Sequence, residues 1–107
     1  IFFISLFIML FSTCYRAYPP YFAGSCDYWP TSDYCDDYTG SKWFASDVQL
    51  WCTGTYSTGY CTSAGKVGTC VTGYGTSSEI ERVLYSPTYD WTTGGNYCNL
   101  TLGGYWF

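Results

Sequence analysis

The hydrophobic pattern divides the chain into one unbroken apolar run and a long stretch of short, alternating segments. Residues 1–11, IFFISLFIMLF, are apolar except for Ser5, and Ser12-Thr13-Cys14-Tyr15-Arg16 then restores polarity. The run is well short of the roughly 20 residues a helix needs to cross a bilayer. It matches instead the h-region of a secretory signal, with small residues at Ser12 and Cys14 suited to cleavage after Cys14. No Met and no basic n-region precede it, so the chain reads as an N-terminally incomplete precursor. A lipoprotein, with Cys14 lipidated, fits less well because Phe11 and Thr13 depart from a small-residue lipobox. A second reading keeps the segment. Ile1, Phe2, Phe3, Ile4, Leu6, Phe7, Ile8, Leu10 and Phe11 then form a strand apolar on both faces, about 36 Å long at roughly 3.3 Å per residue. Such a strand suits donation to a neighbouring subunit's sheet. Membrane contact is expected only through residues 1–11, if they are retained.

The rest of the chain, residues 15–107, reads as a single Cys-rich β domain. Residues 15–41 are rich in Tyr and carry Pro19, Pro20 and Pro30, which bar regular helix and confine strands to edges. An irregular lobe pinned by Cys26 and Cys35 is expected there. Over residues 42–52, Val48, Leu50 and Cys52 alternate with Asp47, Gln49 and Trp51, a strand signal. Thr- and Tyr-rich strands should follow as a meander between turns at Gly54, Gly59, Gly65, Gly68, Gly73 and Gly75, anchored by Val67, Cys70, Val71 and Tyr74. Ser78-Glu79-Ile80-Glu81 resembles a capping box, so residues 78–85 are the one short-helix candidate. The same residues also read as a strand, with Ile80, Arg82 and Leu84 on one side. Tyr89 to Leu100 predicts a hairpin turning at Gly94-Gly95. A final strand runs through Leu102, Tyr105, Trp106 and Phe107. The expected fold is therefore mostly β: a small disulfide-stapled antiparallel sheet or sandwich.

The cysteines supply the staples. Setting Cys14 aside leaves Cys26, Cys35, Cys52, Cys61, Cys70 and Cys98, a framework of three bridges whose connectivity the sequence leaves open. A structural zinc site would need CxxC knuckles or His, and the chain has neither. Several of the cysteines lie nine positions apart, yet the nonamers share little besides the Cys, so hairpins closed by Cys pairs are expected rather than a solenoid. If retained, Cys14 is unpaired or pairs between chains. In a chain of 107 residues the core is small, and bridges contributing about 2–4 kcal/mol each offset that. They also imply an oxidising, extracellular setting.

Composition then excludes function classes. With no His, the Ser-His-Asp and Cys-His nucleophile arrangements are absent. A net charge of −4, with Arg16, Lys42, Lys66 and Arg82 scattered singly, offers no stripe for phosphates, and nucleic acid is not an expected partner. Aromatics make up 23% of the chain, more than one small core encloses, so many should be exposed. Tyr28, Trp29, Trp43, Trp51, Trp91 and Trp106 are candidates to stack on sugar rings. The acidic group Asp27, Asp33, Asp36 and Asp37 does not match the calcium-loop spacing and reads as solvated, turn-capping charge. Glu79 with Glu81, or Asp90 beside Trp91, gives no sign of a catalytic cleft. Asn99-Leu100-Thr101 is an N-glycosylation sequon.

These features favour a non-catalytic extracellular structural or self-assembling subunit, needing no cofactor, that binds copies of itself and carries glycan. The alternative is a monomeric secreted binding module of the carbohydrate-recognition, pheromone-like or toxin-like kind.

Overall fold

The computed structural model describes residues 21–107; Cys14 and the apolar residues 1–11 lie outside them. The protein is mostly β, built on an antiparallel sheet of six strands in the order β3-β1-β2-β5-β4-β6. The strands are β1 (Ser25–Asp27), β2 (Tyr34–Tyr38), β3 (Thr55–Ser57), β4 (Lys66–Thr72), β5 (Ile80–Tyr85) and β6 (Tyr105–Trp106). Among the described residues two short helices, α1 (Ala45–Trp51) and α2 (Trp91–Asn96), accompany it, and α2 continues into one π-helical turn, Tyr97–Leu102.

The register aligns residues from all six strands into cross-strand rows, and the row on the helical face is Tyr56, Cys26, Asp36, Arg82, Cys70, Trp106. Directly opposed residues share a face. The middle of the row is an ion pair in which Arg82 Nε and Nη2 donate to Asp36 Oδ1 and Oδ2 at 2.7 and 2.8 Å. Arg82 Nη1 donates to the Tyr97 hydroxyl at 3.0 Å, and the guanidinium lies 3.9 Å over the Tyr34 ring. Asp36 is buried.

Each disulfide ties a covering segment to the sheet. Cys26–Cys52 holds the end of α1 to β1, Cys70–Cys98 holds the π-turn to β4, and Cys35–Cys61 holds the β3–β4 connection to β2. Cys26 and Cys70 belong to the helical face, whereas Cys35 alternates to the opposite, loop face. The pairs are 26 to 28 residues apart, so no bridge closes a hairpin. Cys26 and Cys35 sit in adjacent strands but bond to different segments.

Several sequence expectations are corrected. The region 15–41 is not an irregular lobe where it is described: β1 and β2 lie inside the sheet, and Pro30 is confined to the turn between them. Residues 45–51 are helical rather than extended, because the i, i+4 spacing of Phe44, Val48 and Cys52 competes with the alternation. Val48 N–H bonds to Phe44 O and Cys52 N–H to Val48 O, at 3.0 and 2.9 Å. Only Val48 of α1 is buried; Leu50 is 79% exposed. The helix candidate at 78–85 is strand β5, whose two neighbours β2 and β4 saturate its backbone.

The hairpin expected over 89–100 is α2 and the π-turn. Asp90 begins it, accepting the Thr93 N–H while Thr93 Oγ1 accepts the Asp90 N–H. Gly94 serves close packing, not a turn: a Cβ there would lie 2.7 Å from Trp106 Cη2. The helix can therefore settle on the indole at the end of the row.

Removing Asp36 alone strands a half-buried guanidinium. Asp36→Ala should lower stability by about 3–5 kcal/mol, and Asp36→Leu with Arg82→Met should recover most of it. Urea denaturation of the three proteins checks this; a cost below about 1 kcal/mol for Asp36→Ala would remove the pair from its central place.

Candidate functional site

The loop face carries a cleft of about 290 Å³ lined by Asp27, Trp29, Asp33, Thr62, Ala64, Tyr85 and Ser86. Three chain segments meet around it, each fixed by hydrogen bonds. At the end of β1, Asp27 Oδ1 accepts the Trp29 N–H at 3.0 Å, and Tyr28 N–H bonds to Tyr34 O at 3.2 Å. This tight connection turns Trp29 outward, where it is 69% exposed. The second segment follows Cys61, which is tethered to β2 by its disulfide and by its N–H to Asp37 Oδ1 at 2.9 Å. Gly65 closes that loop at φ +76°, a backbone conformation L side chains rarely adopt. The third segment leaves β5: Tyr85 N–H bonds to Asp33 O at 3.2 Å, Ser86 N–H to Gly65 O at 3.0 Å, and Thr88 N–H to Asp33 Oδ2 at 3.4 Å.

Tyr85 forms the floor. Its hydroxyl donates to Thr62 O at 2.7 Å, and its ring packs with Cys35, Val83 and Cys61. Burial pushes the phenol above its ordinary value, and the carboxylates of Asp27, Asp37 and Asp33 add to that. Among the described residues no basic side chain lines the cleft. Its walls combine an aromatic plane with carboxylate and hydroxyl groups, an arrangement that can hold a ligand having one apolar face and a hydroxylated rim.

The four aspartates of the acidic group are dispersed. Asp36 pairs with Arg82 on the helical face, Asp37 lies under the Cys61 loop, and only Asp27 and Asp33 reach the cleft. Among the described residues no three His, Cys, Asp or Glu gather where they could hold a metal ion. Glu79 precedes β5 and is buried, accepting from Thr39 Oγ1 and Gly75 N–H, both at 2.8 Å. Glu81 lies on the loop face opposite Asp37. Asp90 caps α2.

The aromatic candidates separate by role. Trp43 donates its Nε1 to Glu79 O at 3.0 Å and meets Tyr38 and Trp51 edge-on. Tyr28 packs on Tyr34, and Trp106 on Gly94, Gly95 and Trp91. Asn99 and Thr101 are both exposed, on the π-turn. Sequence reasoning missed Thr62, Ala64, Tyr85 and Ser86 as site residues. The available signal was the Tyr85-Ser86-Pro87 strand end, where a proline must break the ladder. No family model, no curated protein and no solved structure matches the chain.

Asp37 couples this loop to pH. Burial pushes its carboxyl up from an ordinary 3.8 to about 6; the Cys61 N–H opposes the shift, Glu81 and Asp36 add to it, and Lys66 counteracts them. The folded chain therefore keeps a proton that the unfolded chain has lost between about pH 3.8 and pH 6. On Asp37's account, stability falls as pH rises through that window and stays low above it. Asp37→Asn keeps an acceptor for Cys61 without the charge. It should raise stability at pH 7 by about 1–2 kcal/mol and lose that advantage near pH 4, as read by thermal melts across the range.

Proposed function

We propose that this protein is a secreted binding module that recognises a small polar ligand, or a terminal group of a larger one, in the cleft beside Trp29. The observation that carries the proposal is an indole 69% exposed, on a residue whose backbone N–H donates to Asp27 Oδ1, at the mouth of a cleft whose three rims are bonded together. Rigid loops on a stapled sheet lower the ordering cost of binding. Three disulfides are the mark of a chain that folds in an oxidising, extracellular setting. Secretion, a glycan on Asn99, and the absence of a catalytic role belong to the same proposal.

One observation favours the assembly reading. At the β6 edge, Tyr105 is 65% exposed and its ring lies 5.4 Å from that of Tyr74, which stacks on Phe107 at 5.7 Å. Aromatic clusters of this kind are common at interfaces. However, the terminal strands β3 and β6 have three and two residues, and short edges offer little backbone for strand addition. The strand proposed for donation, residues 1–11, lies outside the described residues.

The two readings separate in solution. Chain secreted from a eukaryotic host should sediment as a monomer across a hundredfold range of concentration. Concentration-dependent oligomers that disappear on Tyr105→Ser would replace the binding module with the self-assembling subunit.

A further inference from the structure

We infer that the cleft takes one neutral pyranose ring, stacked on the Trp29 indole with its hydroxyls received by Asp27 and Asp33. The inference rests on the binding-module proposal and gives it a ligand class. A pyranose presents a face of C–H groups and a rim of O–H groups. It therefore needs a flat apolar surface on one side and acceptors at the edge. The cleft has both. Trp29 supplies the plane, with Ala64 and the Tyr85 ring as the remaining apolar lining.

The acceptors are positioned before any ligand arrives. Asp27 engages the Trp29 N–H through Oδ1, and Asp33 engages the Thr88 N–H through Oδ2. Each carboxylate thus lines the cleft with one oxygen engaged by a backbone N–H. The Ser86 and Thr62 side chains add hydroxyls that can donate or accept. At about 290 Å³ the cleft is at the small end of ligand pockets, so it suits a single ring and not an enclosed oligosaccharide. Charge refines the class. Two carboxylates, with no basic residue among the described lining, disfavour uronic, sialic or sulfated sugars. After burial, the carboxylates of Asp27, Asp37 and Asp33 also push the Tyr85 phenol up, in keeping with the acidic lining.

The test is a ¹H–¹⁵N NMR titration of the full chain with methyl β-glucopyranoside, methyl β-galactopyranoside, methyl α-mannopyranoside, methyl β-glucuronide and tetramethylammonium. At least one neutral glycoside should move the Trp29 indole N–H and the Thr62 and Ser86 amides, with the glucuronide at least about tenfold weaker. Trp29→Ala should abolish the shifts, Trp29→Phe should retain part of them, and Leu100→Ser should leave them unchanged. Asp33→Asn, which preserves the acceptor for Thr88, should weaken binding by about tenfold, as for loss of a hydrogen bond to a charged group. The inference is overturned if no neutral glycoside moves Trp29, if only tetramethylammonium does, or if the shifts survive Trp29→Ala. Glycoside shifts centred on another exposed ring would overturn the cleft assignment and leave the binding module standing. Self-association in sedimentation would overturn the module itself.

Discussion

The Asp36–Arg82 pair sits at the centre of a row on the helical face that crosses all six strands, and the architecture is organised around it. A carboxylate and a guanidinium on central strands are tolerable only when every charge-bearing atom has a partner. Here the two-point contact, the Tyr97 hydroxyl and the Tyr34 ring provide those partners. The requirement fixes the register of β2 against β5, since a one-residue slip would send Arg82 to the other face. It also brings in the π-turn, because Tyr97 must arrive from there. The neighbouring Cys98 is then in place to bond Cys70, the next residue of the same row.

From that row the two faces take different tasks. The helical face is closed by α1 and α2 through two disulfides and by the packing of Trp106 into paired glycines. The loop face is closed by one disulfide and by Asp37, which receives the Cys61 N–H from beneath. A lightly covered face is where a cleft can open without breaking the core. The cleft rim joins the ends of β1 and β5 to the Cys61 loop, so its geometry is inherited from sheet register rather than from side-chain packing alone. The Asp37 charge, held at a cost above about pH 6, lies under the same loop.

Parts of this were legible in the chain. The six cysteines, the turn residues and the Thr/Tyr-rich segments identified a stapled, mostly β fold. The aromatic excess implied exposed rings, and Trp29 was among the candidates. Local pattern misled where two periodicities coincide. Val48 to Cys52 satisfies both a strand and a helical turn, and Gly94-Gly95 fits both a hairpin and a site of close approach. For residues 78–85, the capping-box resemblance gave way to the pairing of Ile80–Tyr85 with strands on both sides. The site was only half legible, because Asp27 and Asp33 could not be separated from Asp36 and Asp37 without knowing which face each residue takes.

By itself, then, the sequence determined composition-driven properties: a chain rich in β-formers and cysteine, free of histidine, acidic, and with more aromatic surface than one core can hide. These follow from residue identity and need no knowledge of neighbours. Tertiary structure alone decided the cysteine connectivity, the row through Asp36 and Arg82, and the meeting of Trp29 with Tyr85 and Ser86. The disulfides, the Asp36–Arg82 pair and the meeting of Trp29 with Tyr85 each join residues 26 or more positions apart. Such contacts are selected by strand register and by the burial of charge, which no local window of the chain contains.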